Sequence, residues 1–177
     1  MRKLKITELH RISPEEFKAA EKMPLIVVLD NVRSLHNVGS VFRTSDAFRV
    51  QAVYLCGITA VPPHPEIHKT ALGAENTVEW KYFDTALDAI AELRQQHYTI
   101  AAVEQAENSL PPEKLLGENR KYAIILGNEV HGVAQEAMNQ CDYCIEIPQF
   151  GTKHSLNVSV AAGIIIWEIF KKLKVAD

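Results

Sequence analysis

Three stretches of the chain gather groups that could act on a charged, nucleotide-like substrate. Asn37-Val38-Gly39-Ser40-Val41-Phe42-Arg43 sets an amide and a guanidinium on one short segment. Arginine is protonated at every physiological pH and binds phosphate oxygens bidentately. Arg43 also reads, in isolation, as a solvated surface residue on the helix face opposite Val38 and Phe42. Leu126-Gly127-Asn128-Glu129-Val130-His131-Gly132 follows an apolar run and brackets a carboxylate with glycines. Gly127 admits close backbone approach, and Pro148 of Ile147-Pro148 removes a donor and fixes a turn. At the carboxyl ends of strands, where open α/β sheets bind ligands, these two backbones could flank a purine ring. They could equally do no more than shape turns. Ser155-Leu156-Asn157 offers a polar pair at the expected head of a helix, as capping groups or as substrate contacts.

Other chemistries lack their residues. No G-x-G-x-x-G follows a strand pattern, so a dinucleotide site is unsupported. Gly127 and Gly132 have the glycine spacing of a phosphate loop, but Val133 stands where its lysine is needed. Cys141-Asp142-Tyr143-Cys144 has C-x-x-C spacing and, with His64 and His68, could imitate a zinc site. Cys144 belongs to an apolar strand pattern, however, where buried free cysteine is common, and no metal is expected. Tyr54, Trp80, Tyr82 and Phe83 are read as core rather than as platforms for stacked bases.

The elements that must position these residues alternate. Ser13-Pro14-Glu15-Glu16 is a capping box, so a helix follows and stops before Pro24. Leu25 to Leu29 is a continuous apolar run suited to a parallel strand covered on both faces. Asn37 is placed to cap a helix with Val38, Val41, Phe42, Ser45 and Phe48 at helical spacing. Further strands are expected at Ala52 to Leu55, Val78 to Phe83 (an edge), Thr99 to Val103, Tyr122 to Leu126 and Tyr143 to Ile147. Helices are expected at Pro65 to Leu72, from Thr85, at Val133 to Met138 and from near Leu156. Residues 104–120 read as a polar loop. The closing helix carries Val158, Val160, Ile164, Ile165, Ile166, Trp167 and Ile169, apolar on nearly every side. A helix of that kind is expected to be buried in a core or against a second subunit. The whole reads as an α/β fold with a mostly parallel sheet flanked by helices.

A chain of 177 residues suffices for one domain with a sizeable core. Its 47% apolar and 23% charged residues are ordinary for a globular protein. No apolar run reaches the roughly 18 residues of a membrane span, and the basic start lacks a signal-peptide pattern. Three cysteines do not suggest a disulfide framework, so the cytoplasm is the expected compartment. The net charge of −3 argues mildly against nucleic acid, but Arg2, Lys3, Lys5 and Arg11 crowd one end and Lys171, Lys172 and Lys174 the other. Either cluster alone reads as a solvated terminus.

Taken together and in order, the three stretches are N-x-G-x-x-x-R, G-x-E-x-x-G and I-P-x-x-G-x-x-x-S-L-N. In this form the chain resembles the SpoU (TrmH-like) branch of the SPOUT RNA methyltransferases, from about Leu25 to about Leu173. The resemblance implies a C-terminal trefoil knot made from about Tyr122 onward. It implies a short N-terminal helical extension over residues 1–24 before a methyltransferase domain over residues 25–177. It also implies a homodimer that methylates a ribose 2′-hydroxyl of RNA from S-adenosylmethionine. The alternative is a non-catalytic RNA-binding protein that keeps the fold. Asn37, Arg43, Glu129, Ser155 and Asn157 match the family's catalytic set. Leu126, Gly127, Ile147, Pro148 and Leu156 match its cofactor-binding positions. Arg43, Lys69 and Ser155 match its RNA contacts, Lys69 within His68-Lys69-Thr70-Ala71-Leu72-Gly73-Ala74, which also reads as a helix closed by Gly73. An arginine is a poor general base, with a pKa above about 12. Arg43 is therefore read as holding phosphate and hydroxyl and stabilising developing negative charge.

Two features depart from the family pattern. Gln149 stands where many relatives have methionine. Only the first 24 or so residues are additional to the resembling region, so RNA is expected to be held by the core, by those residues or by a second subunit. Size alone favours tRNA over rRNA.

Overall fold

The computed structural model describes residues 1–115 and 121–174; the rest of the expected 104–120 loop lies outside them. Among these residues six strands form one sheet: β1 (Met23–Asp30), β2 (Val50–Cys56), β3 (Glu79–Phe83), β4 (Thr99–Val103), β5 (Tyr122–Leu126) and β6 (Tyr143–Ile145). Their order is β3-β2-β1-β5-β4-β6, and every pairing is parallel. All strand carboxyl ends therefore open on one side. Among the described residues six α-helices connect and cover them: α1 (Pro14–Ala19), α2 (Leu35–Ala47), α3 (Pro65–Ala71), α4 (Ala86–Gln95), α5 (Gln135–Met138) and α6 (Val158–Lys174).

The strands are apolar throughout because both faces are covered. On one face Val27, Leu29, Val53, Leu55, Ile124 and Leu126 meet Val38 and Phe42 of α2, Ile67 of α3 and Ile165, Ile166 and Ile169 of α6. On the other, Ile26, Val28, Ile100, Ala102 and Ile125 meet Ile90 and Leu93 of α4 and Ala137 of α5. The alternation follows the two-residue period of a strand. Each Val, Leu, Ile or Phe side chain among them contributes about 1.5–3 kcal/mol by leaving water. Phe17 of α1 is buried in the first of these cores, which ties the N-terminal segment to the domain.

Several boundaries differ from the sequence reading. Helix α1 ends at Ala19, before Pro24 as expected, but β1 begins two residues early at Met23. Its pairing with β2 slips between Met23 and Ile26, around Pro24, which has no N–H to donate. Asn37 does not cap α2. The cap is Ser34, whose hydroxyl accepts from the Asn37 N–H at 3.3 Å. Leu72, not Gly73, takes the left-handed cap of α3 at φ 53°. Strand β6 stops at Ile145, two residues short of the expected end. Trp80 and Tyr82 are exposed, because β3 is an edge strand with incomplete cover, while Tyr54 and Phe83 are buried as expected. Helix α6 is buried along Val158, Ala162, Ile165, Ile166 and Ile169 but exposes Val160, Ile164 and Trp167.

One glycine fixes how the first motif packs. A Cβ on Gly39 would lie 2.1 Å from Thr70 Oγ1 and 2.3 Å from the Ile67 carbonyl oxygen. Helix α3 crosses α2 at that point only because the side chain is missing. Among the described residues no helix is long and apolar enough to cross a membrane.

Candidate active site

The sheet brings the carboxyl ends of β4, β5 and β6 together, and a cavity of about 500 Å³ opens there. That size lies within the usual range for small-molecule sites, roughly 300–1,000 Å³. Leu126, Ile145, Ile147, Leu156, Val158 and Ala161 supply apolar walls; Glu104, Gln105, Asn128, Glu129, His154, Ser155 and Asn157 supply polar groups. The walls suit a planar aromatic ring, and the polar groups and loop backbone suit its attached hydroxyls and charges.

The loop after β5 is built from its glycines. Asn128 and Gly132 exchange backbone hydrogen bonds at 3.1 and 2.9 Å, closing a tight turn. Gly132 sits at φ +67°, a conformation that costs other residues. A Cβ on Gly127 would lie 2.1–2.2 Å from the Gly132 carbonyl and the Val133 nitrogen. The close approach expected at Gly127 is thus made first by the loop's own backbone. Asn128 Oδ1 accepts from the Val130 and His131 N–H groups, and its Nδ2 donates to the Asn31 carbonyl at 2.8 Å. Glu104, at the end of β4, accepts from the Val133 N–H at 3.1 Å.

Glu129 reaches out of this loop to α2. Its two carboxylate oxygens accept from the Arg33 and Ser34 N–H groups, each at 3.0 Å, and from Asn37 Nδ2 at 3.1 Å. Ser34 is the N-cap of α2, so the carboxylate also faces the positive end of that helix. Burial pushes the Glu129 carboxyl up; the hydrogen bonds from Arg33, Ser34, its own backbone and Asn37 outweigh this and leave it below the ordinary carboxylate range. Asn37 Oδ1 in turn accepts from Asn157 Nδ2 at 3.1 Å. Asn157 Oδ1 caps α6, accepting from the Ser159 N–H at 2.9 Å and the Val160 N–H at 3.4 Å. One hydrogen-bonded line, Glu129–Asn37–Asn157, therefore joins three motifs far apart in sequence.

Of the residues singled out from sequence, Leu126, Gly127, Ile147, Leu156, Glu129, Ser155 and Asn157 line the cavity. Asn37 is one hydrogen bond behind it. Pro148 lies between the lining residues Ile147 and Gln149 without lining the cavity itself. Arg43 is not brought there. It lies six residues beyond Asn37 on α2, about 9 Å along the axis at about 1.5 Å per residue. It is exposed, with no hydrogen bond or ion pair among the described residues. Lys69 is exposed on α3 and paired with Glu66 at 2.6 Å, away from the cavity. The two Cys-x-x-Cys thiols are engaged locally: Cys141 bonds to the Ala137 carbonyl and Cys144 to that of Glu104. Burial pushes the Cys141 thiol up to about 12. His64 caps α3 and His68 pairs with Glu75. Among the described residues no group of three or more potential metal ligands converges.

The family model described as the SpoU rRNA Methylase family matches residues 24–167, spanning all three motifs. The chain belongs to this family. It is 32% identical over 170 residues to a 23S rRNA (guanosine-2′-O-)-methyltransferase, RlmB, of Nitrosomonas europaea, covering 94% of this chain and 64% of that one. A TrmH family protein of Staphylococcus saprophyticus is 31% identical over 155 residues, 88% of this chain and 61% of the relative. The chain thus spans about three fifths of the length of the curated relatives it matches. Among solved structures, the A. aeolicus TrmH/SpoU tRNA modifying enzyme superposes with a TM-score of 0.81 at 26% identity, covering 92% of this chain and 83% of that one. An AdoMet-bound rRNA methyltransferase from Sinorhizobium meliloti superposes with a TM-score of 0.79 at 25% identity, over 92% and 62%.

Sequence reasoning passed over Val103, Glu104, Gln105 and His154, all of which line the cavity. Gln105 Nε2 donates to the His154 carbonyl and so fastens the third-motif loop to the end of β4. Glu104 and Gln105 looked like the start of a polar loop. The available signal was their position directly after a strand.

Proposed function

We propose that the chain transfers a methyl group from S-adenosylmethionine to a ribose 2′-hydroxyl of RNA, with tRNA favoured over rRNA. The observation that carries this reading is the Glu129–Asn37–Asn157 line at the rim of a cofactor-sized cavity, in a chain of the SpoU family. Leu126, Gly127, Ile147 and Leu156 would hold the cofactor, with Pro148 fixing the turn between the lining residues Ile147 and Gln149. When bound it supplies an electrophilic methyl group on a sulfonium. Apolar walls suit its adenine and exclude water, and the backbone of the 127–132 loop and of Ile147 offers hydrogen-bonding groups.

The rest of the work falls to side chains. A 2′-oxygen must lose its proton as it attacks. Arg43 is already protonated and cannot take that proton, which passes to water; the guanidinium instead grips the neighbouring phosphate and lowers the cost of negative charge on the oxygen. Ser155 lines the cavity and is exposed, and we read it as a phosphate contact. Asn37 and Asn157 align the heads of α2 and α6, and Glu129 holds Asn37.

A second copy of the chain accounts for Arg43. Helices α2 and α6 run side by side, from the Asn37–Asn157 bond to Phe48, whose ring lies 5.7 Å from that of Trp167. Arg43 lies between these two points on α2. On α6, Val160, Ile164 and Trp167 form an exposed apolar stripe at helical spacing. We read this surface as a homodimer interface that carries Arg43 to the partner's cavity. The knot is part of the same reading. Residues after β6 lie against the segment after β4, with the Glu146 N–H bonded to the Leu110 carbonyl, and Lys172 of α6 bonded to the carbonyls of Pro112 and Leu115. That contact supports threading of the C-terminal segment through a loop. We further assign residues 1–24 as an extension, residues 25–177 as the methyltransferase domain, and the cytoplasm as the compartment.

The basic termini contribute less to RNA binding than their charge suggests. Arg2 is paired with Glu8 and Lys171 with Glu168. The test is transfer of labelled methyl to tRNA and, separately, to rRNA, followed by nuclease digestion. Label on a single ribose supports the reading and names the RNA; label on a base overturns it.

A further inference from the structure

Phe150 is 98% exposed, the most exposed large apolar side chain among the described residues after the N-terminal methionine. It lies on the loop between β6 and α6, next to Gln149 and four residues before His154, both of which line the cavity. No other ring among the described residues stacks on it. Its loop neighbours Gly151, Thr152, Lys153 and His154 are exposed, and two of them carry basic groups. His131 is exposed on the 127–132 loop, which lines the same cavity. A protein-binding hot spot sits among apolar neighbours, as the α6 stripe does. An isolated ring among polar and basic groups is instead the surface that single-stranded nucleic acid uses, with the cations on phosphates and the ring on a base.

We propose that Phe150 is the stacking platform for an unpaired base of the RNA next to the acceptor ribose. This rests on the RNA-methylating function argued above and narrows its substrate class. A paired base already has both faces covered by its neighbours in the stack. A ring standing beside the cavity therefore selects an acceptor in a loop, bulge or single-stranded end.

The test uses the 177-residue chain and two RNAs of one sequence, a hairpin with an unpaired loop and a fully paired duplex. Binding is read by fluorescence anisotropy, and methylation is read separately. Phe150→Ala is expected to weaken hairpin binding between about 5-fold and about 150-fold. Phe150→Trp is expected to retain it. Phe150→Leu, apolar but without a π-face, is expected to behave like alanine. Wild type is expected to bind the duplex more weakly than the hairpin, with little response to these variants. Because the ring is almost wholly in solvent, thermal stability, cofactor affinity and sedimentation should stay at wild-type values. Equal hairpin binding by wild type and Phe150→Ala overturns the proposal, and so does full rescue by leucine. A changed sedimentation coefficient in Phe150→Ala overturns it as well, by assigning the ring to a subunit contact. If the variants weaken binding but wild type transfers no methyl group, stacking stands and the methyltransferase reading fails.

Discussion

Replacing Glu129 with glutamine keeps the side chain's shape and removes its charge and one of its acceptors. The native carboxylate accepts from Arg33 N–H on one oxygen and from Ser34 N–H and Asn37 Nδ2 on the other. An amide must turn its –NH₂ toward one of these sites. The less costly orientation sets it against the Arg33 N–H and loses one bond; the other loses two. A hydrogen bond to a charged group is worth roughly 1.5–3 kcal/mol, but Glu129 is exposed and water replaces part of the loss. We expect a net cost of about 1 kcal/mol, which is a fall in Tm of about 2–4 °C for a chain of this size. The remaining bonds also lose their charge assistance, so Asn37 is held less firmly. Methyl transfer should fall at least about tenfold, equivalent to about 1.4 kcal/mol. The 127–132 loop keeps its own anchors through Asn128 and Glu104, so cofactor affinity should change less than about threefold. The pH dependence follows from the depressed carboxyl. Glu129 stabilises the fold above its unfolded pKa of about 4.3, and that contribution is lost as pH falls through the lower folded value. The Tm difference between wild type and Glu129→Gln should thus be full at neutral pH and shrink as pH falls below the unfolded value through the lower folded one. Calorimetry across pH, titration of the cofactor and single-turnover methylation read the three quantities. A variant with wild-type Tm and wild-type rate would refute the role given to the Glu129–Asn37–Asn157 line.

Three further outcomes are expected. Gly127→Ala places a methyl about 2 Å from backbone atoms of Gly132 and Val133, which cannot swing aside. It should cost about 2–3 kcal/mol in denaturant unfolding and weaken cofactor binding at least about tenfold. Ile164→Asp or Trp167→Glu puts charge on the exposed stripe of α6 and should shift sedimentation from dimer to monomer, with loss of methyl transfer; a dimer that persists counts against the interface. RNA affinity should fall steeply between low and moderate salt as phosphate contacts release counterions, and a flat salt profile in a binding titration counts against RNA as the partner.

The sheet was legible because its strands are buried on both faces: LIVVL and YAIIL have no polar interruption, and five residues bounded by loop-forming neighbours suit a buried strand better than a helix. The motif residues were legible as types, and seven of them do line one cavity. Their exact duties were harder to read. Ser34 and Asn37 are both good caps three residues apart, and Leu35 lets the apolar spacing begin at either, so periodicity alone does not choose Ser34. Glu104 and Gln105 reach the site because β4 lies next to β5 and β6. That neighbour relation is a matter of strand order, which the pattern of apolar runs does not encode. Trp80 and Tyr82 were misplaced although their strand was expected at an edge, because the residue pattern does not show how little of an edge strand the neighbouring elements cover. Helix α6 looked buried all round from composition; a single chain covers only part of it, and the exposed remainder is what motivates a second subunit.

Arg43 bears the central claim most directly. It is exposed and unbonded among the described residues, so Arg43→Ala should change stability by no more than about 0.5 kcal/mol. The measurement is transfer of labelled methyl from S-adenosylmethionine to RNA by wild type and Arg43→Ala at matched cofactor saturation. We predict label on one ribose 2′-oxygen with wild type and at least about a hundredfold loss with the variant, cofactor affinity being unchanged. Equal labelling by both proteins, or none by wild type with cofactor bound, would contradict the account.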